Sequence, residues 1–174
     1  MRNISNRSLI IGIALSIALI AFTQGPRAYA AASAKDQISD VEHKLIAATS
    51  ADEAIKYYDA TDADVFDFSG PPLEYQGTDA VHTDFNNFFS NAKDVKGEFK
   101  ELVIVTDGRM GMARSLQHFT WTGKDGKPAE ALIRVTDVLK KEPTGWKIIH
   151  SHISVPVDPK TGQGLLNLKP GQGA

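Results

Sequence analysis

No cysteine occurs anywhere in the 174 residues. Its absence excludes a disulfide framework, a thiolate metal site and a lipid-anchoring thiol, so the fold must rest on its apolar core. Basic residues form no stripe, and 19 Lys and Arg against 21 Asp and Glu give a formal charge of −2. That balance argues against nucleic acid and anionic membrane as partners. Phosphate-loop, dinucleotide-binding and serine-nucleophile fingerprints are also missing. The chain lacks an apolar run long enough to span a bilayer as a helix, which takes about 20 residues. Its longest run, Leu9 to Phe22, has 14.

What surrounds that run is informative. Arg2 and Arg7 precede it, a polar and helix-breaking stretch from Thr23 to Arg27 follows, and Ala28-Tyr29-Ala30 comes next. Basic, apolar and small-residue segments in that order predict a secretory signal peptide over residues 1–30, with cleavage after Ala30. The expected product is exported, periplasmic or secreted, and free of the membrane. Loss of Arg2, Arg7 and Arg27 takes the formal charge from −2 to −5 and leaves 144 residues, a usual size for one domain.

Periodicity then predicts helices followed by strands. Ile38, Val41, Leu45 and Ile46 fall at helical spacing within Asp36 to Ala48. Ser50 is a plausible N-cap for a second helix to Asp59, with Glu53 three residues on as in a capping box. Val65 to Phe68 reads as a short strand, and Leu73 to Gln76 as its return across Ser69-Gly70-Pro71-Pro72. A third helix from Thr78 would bury Val81, Phe85, Phe88 and Phe89. Four strand-period segments follow: 97–106, 109–122, 129–141 and 145–155, separated by good turn chemistry such as Asp107-Gly108. Residues 158–174, rich in Gly, Pro and Lys, are expected to run as an extended tail. Helices before a long antiparallel meander define an α+β domain over residues 31–157.

The order of elements carries a family resemblance, together with Asp67, the segment Gly70-Pro71-Pro72-Leu73-Glu74-Tyr75-Gln76-Gly77, Arg134-Val135-Thr136-Asp137 and the last strand from Gly145 to Pro156. The chain resembles a SnoaL-like domain of the nuclear transport factor 2-like, or ketosteroid isomerase-like, superfamily from about Asp36 to Pro156. Its His-x-His-x-Ser ending is also similar to the association domain of calcium/calmodulin-dependent protein kinase II, a non-catalytic module on the same fold. The resemblance implies a cone-shaped curved sheet on three N-terminal helices, an internal pocket, and a homodimer packed through the sheet. Ketosteroid isomerases, polyketide cyclases, dehydratases and epoxide hydrolases share that frame, so the fold alone selects no activity. None of their catalytic dyads is matched residue by residue.

Candidate site residues follow from strand parity. Trp146, Ile148, His150, His152 and Ser154 are two apart and are expected on one face. If that face lines the cone, two imidazoles enter an apolar cavity; the alternative is a pair of satisfied core histidines. Arg134 on the neighbouring strand, if directed inward, must meet a carboxylate or an anionic ligand. Asp67, flanked by Phe66 and Phe68, is either a general base or the partner of Arg134. His118 shares parity with Arg114 and Thr120, and the sequence leaves open whether that set or Gln117 and Phe119 faces inward. Tyr58 and Tyr75 are phenol donors or packing residues. The candidates are therefore Asp67, His118 and His152 for catalysis, and Tyr75, Arg134, Trp146 and His150 for ligand binding.

His150-Ser151-His152 also invites a zinc or iron reading, but two histidines two apart are a weak signature, and no metal or cofactor is expected. The expected function is binding of a small, largely apolar molecule with a polar or anionic group, with cofactor-independent acid and base chemistry of isomerase, dehydratase or hydrolase type. The rival is a homo-oligomeric interaction module whose polar cavity is structural.

Overall fold

The computed structural model of the protein describes residues 32–69 and 72–169. The predicted signal segment, residues 1–30, lies outside the described residues, as do Gly70 and Pro71 of the predicted turn. Helix α1 spans Ala34–Ile46 and begins with a reciprocal capping box between Ser33 and Asp36. Helix α2 is only Ala51–Ala54, capped by Ser50 at its first turn. It tightens into a 3-10 turn over Ile55–Tyr57, shorter than the predicted helix because Tyr58 leaves to bridge Ile148 of the sheet. The Glu53 carboxylate reaches Thr49, accepting from its backbone N–H at 2.8 Å and its hydroxyl at 3.0 Å. Helix α3 runs Thr78–Asn91 from Gly77, whose φ of +81° suits glycine.

Strands β1 (Asp64–Phe66) and β2 (Tyr75–Gln76) form the short predicted pair. The long strands are β3 (Ala92–Thr106), β4 (Met110–Gly123), β5 (Pro128–Glu142) and β6 (Gly145–Ser154). All six make one sheet in the order β2-β1-β6-β5-β4-β3. The four long strands are the antiparallel meander read from the sequence, while β1 joins β6 in parallel, so the sheet is mixed. Register shifts in β3 and between β5 and β6 bend it, and its two edges stay unclosed. The result is the expected α+β architecture, with a curved sheet over three helices.

Packing is tightest toward the β5–β6 hairpin. There Ile38 of α1 meets Leu139, Trp146 and Ile148. Helix α1 presses so closely on β3 that a Cβ on Gly97 would stand 2.8 Å from the backbone oxygen of Ile46. Toward the other end of the strands the helices stand off and leave a void. The segment after Ser154 turns back on itself: Val157 bridges Gly164, and Leu166 O accepts from Leu132 N–H at 2.8 Å. It thus pairs with the part of β5 that extends beyond β6, where an extended tail had been expected.

Candidate functional site

The void is a cavity of about 500 Å³ between α3, the end of β1 and the concave face of β4, β5 and β6. That size lies within the range of small-molecule sites. Strand parity decides what enters it. On β4 and β5 the inward set is odd-numbered, Gln117, Phe119 and Trp121 beside Ala131, Ile133, Val135 and Asp137. Helix α3 contributes Asp84, Phe85 and Phe88. The rings of Phe88, Phe119 and Trp121 meet edge to face, with Phe88 at 6.5 Å from Phe119 and 5.8 Å from Trp121.

Two clusters of oxygen acids interrupt these apolar walls. In the first, the Asp84 carboxyl lies beside Asp67 and the phenol of Tyr75. Burial first, and then the nearby Asp67 carboxylate, push the Asp84 carboxyl up to about 7. Below about pH 7 Asp84 therefore keeps its proton beside the Asp67 carboxyl and the Tyr75 phenol. The same surroundings, burial and then Asp84, raise the Tyr75 phenol, which stays protonated. Asp67 also accepts from Ser69 N–H at 2.9 Å, which fixes its orientation.

The second cluster lies at the cavity's inner wall. Asp137 accepts from the Ser151 hydroxyl, and Ser151 in turn meets the Tyr58 hydroxyl at 2.9 Å. Glu42 of α1, 1 % exposed, is hydrogen-bonded to Asp137 from behind. Burial and then the Asp137 charge raise the Glu42 carboxyl far above the carboxylate range, so it is the proton donor of that pair. Burial raises Tyr58 likewise.

The structure brings two of the sequence-predicted candidates, Asp67 and Tyr75, into the cavity and leaves five outside it. Between Ile148 and His150 the β5–β6 register slips by one residue. Trp146 and Ile148 therefore point inward before the slip, and Ser151 and Ile153 after it. His150 and His152 are consequently on the opposite face, which corrects the one-face reading of that strand. His150 Nδ1 lies 2.8 Å from Asp64 Oδ1, with Phe66 edge-on at 5.0 Å, and His152 is exposed beside the same ring. Arg134 is exposed on that outer face too, since β5 turns its more apolar parity inward, and the Arg134–Asp67 pair does not form. His118 is also outside, bridging Glu98 at 3.2 Å and Glu130 at 3.0 Å. Trp146 is buried in the core at the hairpin end, beneath Lys141 at 5.4 Å.

Asp84, Asp137 and Glu42 were missed, although each left a signal. Asp84 stands on the stripe of Val81, Phe85 and Phe88, Glu42 on that of Ile38 and Ile46, and Asp137 shares a strand face with Val135 and Leu139. An acid on an apolar stripe marks a buried acid.

A two-layer α+β fold with an acid-bearing cavity is the class these observations define. A family model for the SnoaL-like domain matches residues 38–158, and the chain belongs to that family. Solved structures agree on the fold. A nuclear transport factor 2-like protein of unknown function from Pseudomonas putida is 21% identical at a TM-score of 0.68, covering 79% of this chain and 96% of its own. A superfamily protein from Salmonella enterica is 19% identical at a TM-score of 0.66, covering 76% and 97%. A ketosteroid isomerase-like protein from Erwinia carotovora is 22% identical at a TM-score of 0.58, covering 68% and 93%. No protein of curated function matches the chain.

Proposed function

We propose that the protein binds a small, largely apolar, ring-bearing molecule in the cone cavity and can move a proton on it without a cofactor. The observation that carries this reading is the convergence of Asp67, Asp84 and Tyr75 on a cavity otherwise walled by aromatic and aliphatic side chains. A protonated Asp84 beside the Asp67 carboxyl offers an acid and a base in one place, with the Asp84 carboxyl raised to about 7. One can accept a proton from a bound molecule while the other returns one. The anionic head group expected from Arg134 and the histidines has no counterpart, because no Lys, Arg or His is among the residues lining the cavity.

A thermal-shift screen of neutral and charged ring compounds tests the reading. Binding at 100 times Kd adds about 2.7 kcal/mol, which raises Tm by several degrees in a domain of this size. The gain should vanish in Ala131→Phe, which fills the cavity, and persist in Arg134→Ala and His152→Ala, which lie outside it. A folded wild type that no compound stabilises refutes ligand binding.

Export belongs to the proposal and is supported by the basic, apolar and small-residue order of residues 1–30. Intact mass of protein recovered from expressing cells should correspond to a start at Ala31; a mass retaining residues 1–30 argues against it. No helix among the described residues is long and apolar enough to cross a membrane. The interaction-module reading keeps one supporting observation: the convex face carries Met112, Leu116, Leu132 and Val138 among charged neighbours, suited to a homodimer.

A further inference from the structure

We propose that the cavity selects an organic cation, a protonated amine carried on an aromatic or alicyclic ring, over its neutral and anionic counterparts. This rests on the ligand-binding reading above and names the substrate class. The cavity marks the site; its carboxyls add the sign of the charge. Asp67, Asp84 and Asp137 all line it, with no cationic side chain among the lining residues to answer them. Asp137 is already served by Ser151 and Glu42. The Asp67–Asp84 pair has only the Ser69 N–H on Asp67 and the Tyr75 phenol beside Asp84, neither of them a cation, so the proton on Asp84 is what offsets the charge of two adjacent carboxyls.

The groups facing Asp84 are Asp67 at the end of β1, Tyr75 of β2 and, farther off, Tyr58 after the 3-10 turn, and none is a cation. An ammonium seated between the carboxyls replaces the proton on Asp84, which leaves to solvent: two carboxylates and one ammonium remain, with one proton released. An incoming carboxylate would add a third negative charge in a poorly solvated space. The faces and edges of Phe88, Phe119 and Trp121 hold the ring, and their π clouds favour a positive over a negative guest.

Three probes on one skeleton separate the cases: tryptamine as the cation, 3-ethylindole as the neutral form and indole-3-propionate as the anion. Calorimetric titration at about pH 6.5, in phosphate and in Bis-Tris, reads both affinity and proton release. Tryptamine should bind at least about tenfold more tightly than 3-ethylindole, as a charge-assisted contact provides, and should release protons to the buffer. Indole-3-propionate should bind most weakly. Asp84→Asn, checked for folding by circular dichroism, should bring tryptamine down to the affinity of 3-ethylindole and abolish the buffer dependence; Asp67→Asn serves if that variant fails to fold. If 3-ethylindole or indole-3-propionate binds as tightly as tryptamine, cation selection is overturned while the cavity reading survives. If none binds at millimolar concentration, both fall.

Discussion

Single carboxyl groups govern the electrostatics of this molecule. Asp84 is 8 % exposed, and its carboxyl rises from the ordinary 3.8 to about 7. The folded chain therefore holds a proton that the unfolded chain releases, so the slope of stability against pH is negative over that interval. Stability from this group is fully present below about pH 4 and is lost as pH climbs through about 7. Burial sets this first and the neighbouring Asp67 carboxylate second, while the Tyr75 phenol works against them. Asp84→Asn should therefore flatten the fall in unfolding free energy between about pH 5 and pH 8, and be relatively more stable than wild type at the upper end. Urea denaturation of both proteins at the two pH values measures it. Equal slopes would assign the dependence to the other raised acids, Asp137 at about 6 and Glu42, which also hold a proton on folding across part or all of this interval.

At the scale of elements, legibility depended on whether a pattern was local. Helix α1, helix α3 and the four long strands were visible because each carries its own periodicity and turn chemistry, and the observed bounds differ by only a few residues, except that β3 begins five residues early. Helix α2 shortened for a reason no local pattern contains, the bridge from Tyr58 to Ile148 across 90 residues of chain. Strand β6 shows the same limit more sharply. Its alternation is regular in the sequence, but the one-residue register slip opposite Val138 and Leu139 reverses which side chains face inward. Two histidines thereby exchanged places with Ser151 and Ile153. On β5 no slip intervenes, and the inward parity was readable: Ile133, Val135 and Leu139 outweigh Arg134, Thr136 and Val138 in apolar character. Asp137 rides inward with that set. Half of the candidate site was thus legible as acids on apolar stripes, while the rest needed the pairing of distant strands.

At the scale of the whole molecule, the residues excluded from the cavity define its other face. The convex side of the sheet runs in register from Phe66 through His152, Thr136 and Arg114 to Val103, with a parallel row of His150, Val138, Met112 and Val105. Aliphatic side chains alternate there with arginine, histidine and glutamate, as at interfaces with an apolar centre and a polar surround. Four strands at about 4.8 Å spacing and roughly 34–50 Å in length present on the order of 650–950 Å², close to the about 800 Å² that each partner contributes to a standard interface. We infer a homodimer through this face, in which the same patch meets itself about a two-fold axis. Small-angle scattering at micromolar concentration should give twice the chain mass. Leu116→Glu with Val138→Glu, on the convex rows either side of Arg114 and Thr136, should bring it to the monomer by burying unpaired charge in the interface while leaving cavity binding unchanged. A wild-type monomer under the same conditions sinks the dimer, and with it the interaction-module reading, whose only structural support is this face.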